Sequence, residues 1–373
     1  MTYLSDDDVR RIRMAALLVH ARTPGSATPQ SVGEVVTHLG AMQAQDYASG
    51  LWSLGARLPG STATDVVAAL EQREAIRTWP MRGTIHLVPA RDAHWMLATT
   101  GVRTLRVSAR RRTELVIDDS VAQRAMDMMG QELTGGGRMS RSALLDAVAR
   151  QGIPISNNAG YHLIVYASLR GLIAIAPDVD GHQTFVLLDE WVPDPVEHEP
   201  DEALALLAIR YFSSHGPTTL KDFAGWSGFT LAESRRGLAV AGDTIATAEH
   251  SGVPVYLDPQ LLDAHAPLPI DEDVHALPGF DEYLLGYKDR SLMLEPGDFD
   301  AVVPGGNGVF QPTLVRGGRV LGTWTRTTKG KKAVVTVIPL GPLGNRDRSA
   351  VEESLRPWAQ FVGLSLDIRW THA

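Results

Sequence analysis

Gln43 and Gln45, in the run Ala41-Met42-Gln43-Ala44-Gln45-Asp46-Tyr47, are the side chains whose type and spacing carry the most chemical content. On a helix, residues two apart are turned by about 200°, so the two could not serve one site. In an extended segment, residues i and i+2 share a side. Gly40 is placed to stop a preceding helix, which makes the extended conformation the natural one. A carboxamide offers one carbonyl acceptor and two N–H donors and carries no charge. A pair aimed at one place can hold a water and face a cationic sugar without titrating. Spacing alone does not separate this from two glutamines of an exposed loop.

Competing chemistry is thinner. Twelve histidines show no His-x-x-x-His spacing beside a carboxylate, so no zinc or iron site is expected. With no cysteine there is no disulfide, thiolate ligand or thiol nucleophile. Gly135-Gly136-Gly137 lacks the Lys-Ser/Thr that completes a phosphate loop and is expected to be a turn. Ser31, Ser156 and Ser227 lack the Gly-x-Ser-x-Gly setting of a nucleophile elbow. Asp281 and Glu282 are adjacent acids that could do acid–base work, but in an acidic segment they are expected to be solvated. Trp79, His86, Trp95 and His162 read as packed or half-buried side chains, with His86 beside Arg82 the one worth testing. No cofactor fingerprint is found, and no lysine is placed by any signal to form a Schiff base.

The 373 residues, 44% hydrophobic and 21% charged, exclude a disordered chain, a fibre and a coiled-coil rod. No stretch approaches the ~20 apolar residues of a membrane span. Asp6, Asp7 and Asp8 precede the first apolar run, which does not fit a secretory signal, and a cytoplasmic location is expected. The net charge of −8 argues against indiscriminate nucleic-acid binding but leaves a local cleft open. Arg103, Arg106, Arg110, Arg111 and Arg112 form one basic run, and Arg316, Arg319, Arg326, Lys329, Lys331 and Lys332 form another. Residues 171–209 hold no Lys or Arg and nine acids. Such segregation suits a positive groove within a negative shell, although each run could equally be a solvated face.

The elements that must position these residues recur. Helices are expected at 7–20, ended by Pro24 and Gly25, and from Ser31, whose pairing with Glu34 spells a capping box. A third is expected at 65–73, followed by strands at 76–79 and 84–88 around a break at 80–83. The order returns with helices at 121–133, from Ser140, and 158–170, then strands at 172–176 and 184–188 about an Asp-Val-Asp-Gly turn. It returns again with helices at 203–213, 220–226 and 231–240 and strands at 244–248 and 254–257. Three helices and a hairpin make a winged helix. The three prolines of 191–201 mark a boundary, and after about residue 260 the texture turns to strands at 309–315, 320–325 and 333–338. Arg316-Gly317-Gly318-Arg319 signals a tight hairpin, and a helix at 349–361 and a strand at 364–370 close the chain. The expected fold is α+β: winged helices at 1–115, 116–192 and 193–260, then a small β-barrel-like domain at 261–373.

Met42-Gln43-Ala44-Gln45-Asp46 resembles the Gln–apolar–Gln hallmark of the AlkZ-type DNA glycosylases. Three further stretches resemble that winged-helix superfamily: Thr78-Trp79-Pro80-Met81-Arg82-Gly83-Thr84-Ile85-His86, Leu277-Pro278-Gly279-Phe280-Asp281-Glu282-Tyr283-Leu284-Leu285-Gly286-Tyr287 and Asn307-Gly308-Val309-Phe310-Gln311-Pro312-Thr313-Leu314-Val315. The related YcaQ branch carries Gln–apolar–Asp, so Gln45 places this chain nearer the AlkZ branch. The resemblance spans the chain from about residue 7 to its end. It implies three winged helices in a C-shaped channel, closed by the barrel, around double-stranded DNA. It implies a monomeric, cofactor-free, monofunctional enzyme that excises bulky N7-alkylguanine adducts, interstrand crosslinks among the candidates, often in self-resistance to a genotoxic natural product. Gln43 and Gln45 would orient the water, with Asp46, Arg82 and His86 as candidate support. Arg110, Arg111, Arg112, Arg316, Arg319, Lys329, Lys331 and Lys332 would contact DNA. Because a shared fold does not fix the reaction, a non-catalytic winged-helix regulator or damage sensor is the alternative, and an unrelated small-molecule enzyme a distant third.

Overall fold

The structure is a computed structural model that describes residues 2–20, 29–156, 158–263 and 272–371. By packing, the chain forms two compact units: Met1–Val66 with Ala205–Ala373, and Val67–Leu204. The second boundary falls just past the proline-rich stretch 191–201. Among the described residues, no helix is long and apolar enough to cross a membrane.

Local chemistry sets the helix ends of the first unit. Ser5 caps the helix Asp6–Ala16 reciprocally with Asp8. That helix stops short of the expected residue 20 because Leu18 takes a left-handed conformation (φ 58°) and Val19 bonds back to Met14. The expected stop at Pro24 and Gly25 lies outside the described residues. Ser31 caps Val32–Leu39 through the Glu34 N–H, as read, but the Glu34 carboxylate accepts from Gln30 N–H. Tyr47–Gly55 is a helix the sequence reading did not foresee, capped by Asp46. The later helices Leu220–Ser227 and Leu231–Ala241 have capping boxes at Thr219/Asp222 and Thr230/Glu233. They precede the expected hairpin, Ala246–His250 and Val253–Leu257, against which Thr2–Tyr3 pairs in parallel.

The C-terminal strands His275–Leu277, Thr313–Arg316, Arg319–Lys329, Lys332–Pro339 and Ser365–Trp370 lie in that order in one sheet. Gly317 and Gly318 both have positive φ (52° and 77°) in the expected two-residue hairpin. The barrel-like expectation is corrected: among the described residues the first and last strands do not pair, and the sheet stays open. Closure would require every strand to find a second neighbour at a fixed tilt. Instead the chain crosses over through helices before adding Ser365–Trp370 parallel to Lys332–Pro339. The expected single helix at 349–361 is two, Asn345–Ser354 and Arg356–Phe361, because Pro357 fits the first turn of a helix and not its interior. Trp358 packs edge-on against Trp324 at 5.2 Å, so helices seal an apolar face that a barrel would have closed on itself.

The second unit sets two hairpins side by side: Ala75–Met81 with Thr84–Pro89, and Ile173–Val179 with His182–Leu187. They join through Arg77 opposite Ile175, and both turns use paired positive φ, at Arg82-Gly83 and Asp180-Gly181. Helices Asp119–Leu133, Arg141–Arg150 and Ala159–Leu169 cover them, burying Met129, Leu144, Val148 and Leu163 with Trp79 and Phe185. Ser140 caps Arg141–Arg150 as expected.

Candidate active site

Gly40 ends Val32–Leu39 with φ 76°, and a Cβ there would also press on Arg210 at 3.2 Å. The chain leaves the helix extended. The extended stretch is Met42–Gln43 and the backbone bends at Gln45 and Asp46; Met42 and Ala44 are buried, Gln43 is half-buried and Gln45 exposed. The Gln43 Oε1 is itself buried and accepts no hydrogen bond among the described residues. A buried carbonyl oxygen left so costs free energy unless something else donates to it. Asp46 then accepts from Ser49 N–H at 2.6 Å, starting the next helix, and lies 3.6 Å from the Arg326 guanidinium. Trp52 anchors that helix to the sheet by donating to Ala276 O at 2.8 Å and packing on Phe361.

Beneath the glutamines lie groups the sequence reading placed in solvent. Asp281 and Glu282 are only 5% and 1% exposed, which overturns the expectation of a solvated acidic pair. Asp281 takes both Arg57 guanidinium nitrogens (2.8 and 3.0 Å), the Ser53 hydroxyl (2.8 Å) and the Tyr283 N–H (2.9 Å). Burial pushes its carboxyl up, but the Arg57 charge and these hydrogen bonds outweigh it and hold it below its usual value. Glu282 accepts from the Gln43 backbone N–H at 3.1 Å and from Trp226 Nε1 at 3.1 Å, with His215 Nε2 at 3.3 Å. A usable signal was present: the acids stand between Phe280 and Tyr283-Leu284-Leu285, an apolar setting unsuited to a solvated pair. Tyr283 and Tyr287, with phenols pushed well up by burial, donate to Gly318 O and His215 O and are no phenolate bases at neutral pH.

The other expected residues are dispersed. Arg82 and His86 belong to the second packing unit. Arg82 is exposed at the hairpin turn, and His86 is fully buried with Nδ1 2.9 Å from Thr84 O. Trp79 and Trp95 are buried and His162 half-buried, as read. The Gly135 and Gly136 N–H groups hold the Glu190 carboxylate at 2.9 and 2.6 Å. The basic runs are less free than their sequence suggests. Arg110 and Arg111 share Glu114, while Arg112 bonds Ser108 and Leu105 O and lies over Tyr166. Arg316 pairs with Asp347, Arg319 with Glu295 and Lys332 with Asp367. Lys329 and Lys331 stand exposed at a hairpin tip, without an ion pair among the described residues.

The family described as DNA glycosylase AlkZ-like matches residues 36–361. The chain belongs to that family. The matched span contains the Gln–apolar–Gln segment, the buried acids and four of the five strands of the open sheet. A curated relative, the interstrand DNA cross-link repair glycosylase of Streptomyces sahachiroi, is 24% identical over 331 residues, 84% of this chain and 86% of that protein. The solved structure of Streptomyces sahachiroi DNA glycosylase AlkZ aligns with all of both chains at a TM-score of 0.81 and 23% identity. The likeness in fold extends over the whole mixed α/β chain.

Proposed function

We propose that the protein is a monofunctional DNA glycosylase that hydrolyses the N-glycosidic bond of cationic N7-alkylguanine, bulky adducts and interstrand crosslinks included. The observation that carries this reading is Gln43: a fixed backbone and a buried, unsatisfied carbonyl oxygen beside Gln45, with no titrating group between them. Alkylation at N7 makes the base a good leaving group, so no general acid is required. The remaining task is to place a water and stabilise positive charge on the sugar, which oriented carbonyl dipoles do without a proton to lose. The helix–hairpin repeats are read as winged helices, 1–115, 116–192 and 193–260, along a C-shaped DNA channel. Lys329, Lys331 and the 110–112 arginines are read as phosphate contacts, and a role in self-resistance to a genotoxin belongs to the same proposal.

The test is excision from duplex DNA carrying N7-methylguanine, scored as abasic sites, with uracil and 8-oxoguanine duplexes beside it. Release of the cationic base and persistence of the neutral ones are expected. Binding of alkylated DNA without any excision would favour the damage sensor instead, and efficient release of uracil would demand a leaving-group interaction that the two carboxamides do not supply.

A further inference from the structure

Of the 35 Lys and Arg side chains only five are lysines, and three of those lie at 329–332. The other two, Lys221 and Lys288, meet on one helix, Leu220–Ser227. Asp222 of that helix, buried and accepting from the Thr218 and Thr219 hydroxyls, also takes the Lys288 backbone N–H at 2.9 Å. The Lys288 stem is then laid across Gly225, where a Cβ would lie 2.8, 3.3 and 3.4 Å from its Cε, Cδ and Cγ. Three successive methylene carbons thus run along bare helix backbone and carry the ammonium outward on a defined path. Lys221 stands four residues before Gly225 and shares its face of the helix. It occupies the first turn, where the helix dipole disfavours a cation. Both lysines are exposed, and neither ammonium makes a hydrogen bond or ion pair among the described residues. The same helix flanks the glutamines: Trp226, next to Gly225, comes within 3.7 Å of where a Gly40 Cβ would stand, three residues ahead of Gln43.

We propose that Lys221 and Lys288 form a binding site for a backbone phosphate of DNA close to the damaged nucleotide. The proposal rests on the reading of the protein as a DNA glycosylase and adds a site to it. Two uncompensated positive charges, one of them set against the helix dipole, are unfavourable in the unbound protein, and a phosphodiester offsets them. A compact ammonium with rotatable donors meets a phosphate from several directions, whereas an arginine brings a planar fork. The groove over Gly225 fits a chain of methylenes. The site fixes the register of the strand, and no bond is made or broken there.

The experiment uses the full chain and a duplex with one N7-methylguanine, in which each linkage within three nucleotides of the lesion is replaced in turn by a neutral methylphosphonate. Affinity is measured against salt, with thermal unfolding in parallel. In the wild type one or two neutral linkages should weaken binding roughly 2- to 5-fold, the scale of an exposed ion pair. In Lys288→Gln the loss at one of them should vanish, because the contact is already gone, and the slope of log affinity against log salt should fall by about one unit. Lys221→Gln should do the same at that linkage or the adjoining one. Gly225→Ala is the sharper variant. It keeps every charge and favours the helix, yet its Cβ drives the Lys288 stem from the groove. It should fold as well as the wild type and silence the same linkage as Lys288→Gln. A wild-type pattern in Gly225→Ala would overturn the proposal, as would equal losses at every linkage in the wild type and both lysine variants. If Gly225→Ala fails to fold, the lysine variants alone decide. A wild type that binds no duplex, alkylated or not, would overturn the functional reading and this site with it. DNA binding with no linkage sensitive to either lysine would sink this site alone.

Discussion

Two polar segments of the first unit, Gln43–Asp46 and Asp281–Glu282, meet within one hydrogen bond of each other and yet obey opposite rules. The first alternates half-buried Gln43, buried Ala44 and exposed Gln45 before the acidic Asp46, a pattern that follows from local spacing. The second is a pair of acids carried into the core, each bonded by partners remote in the chain: Arg57 is 224 residues away from Asp281, and Gln43 is 239 from Glu282. The contrast separates what a short motif can state from what only packing can supply. Reactive groups can be recognised by type and interval, but the groups that hold them are defined by where the chain returns.

The sharpest way to break the contrast is to take Arg57 from Asp281. A buried ion pair that loses one partner leaves a charge uncompensated, so Arg57→Ala should cost about 3–5 kcal/mol in denaturant unfolding. The pH dependence has a definite sign. Because the Asp281 carboxyl is lowered in the fold, its contribution is present above the unfolded value of about 4 and is lost as pH falls through the folded one. The stability gap between the wild type and Asp281→Asn should therefore close in acid and be constant near neutrality. A gap that widened below about pH 4 would mean that Asp281 is not the ionised partner.

The glutamines come next in size. Gln43→Ala and Gln45→Ala should each slow excision by roughly 10²–10³-fold, as for a lost preorganised polar group, while melting temperature and DNA affinity hardly change. Near-normal excision by the double variant would return both residues to the loop they could equally have been. In the sequence, Gly40, the i and i+2 spacing and the resemblance all point to Gln43 and Gln45 as the proposed site. The hairpins are legible there too, because Arg82-Gly83, Asp180-Gly181 and Gly317-Gly318 are local turn chemistry. The Tyr47–Gly55 helix is harder to read there, since its cap, Asp46, adjoins the Gln–apolar–Gln run and its type suits either role. The open sheet is not legible there, because pairing of first and last strands is a long-range property with no local signature.

Asp46 tests whether the boundary between the two segments is structural or chemical. Its cap on Ser49 N–H is worth about 1 kcal/mol, and the half-exposed contact with Arg326 adds little. Asp46→Ala should lose that much stability, while Asp46→Asn, which keeps a capping oxygen, should lose almost none. If Asp46→Asn instead slows excision as strongly as Gln45→Ala, its charge belongs to the reaction and the uncharged strip ends at Gln45.

The smallest effects concern cations that share a sequence run but not a setting. Arg316 faces Asp347 at 2.8 Å and Arg319 faces Glu295 at 3.0 Å, so each already has a counter-charge. Lys329 and Lys331 bracket Gly330 at an exposed tip. Each phosphate contact adds about one unit to the slope of log affinity against log salt. Lys329→Ala with Lys331→Ala should thus flatten the slope by up to about two units, and Arg316→Ala should leave it nearly unchanged. The 110–112 run offers the converse change: Glu114→Gln releases Arg110 and Arg111 without adding any cation, and should steepen the slope if their helix, Val102–Glu114, faces DNA. An identical slope for Glu114→Gln and wild type would assign the helix to solvated surface. A slope that fell equally for the Arg316 and lysine variants would show that pairing within the protein does not decide which cations reach the phosphates.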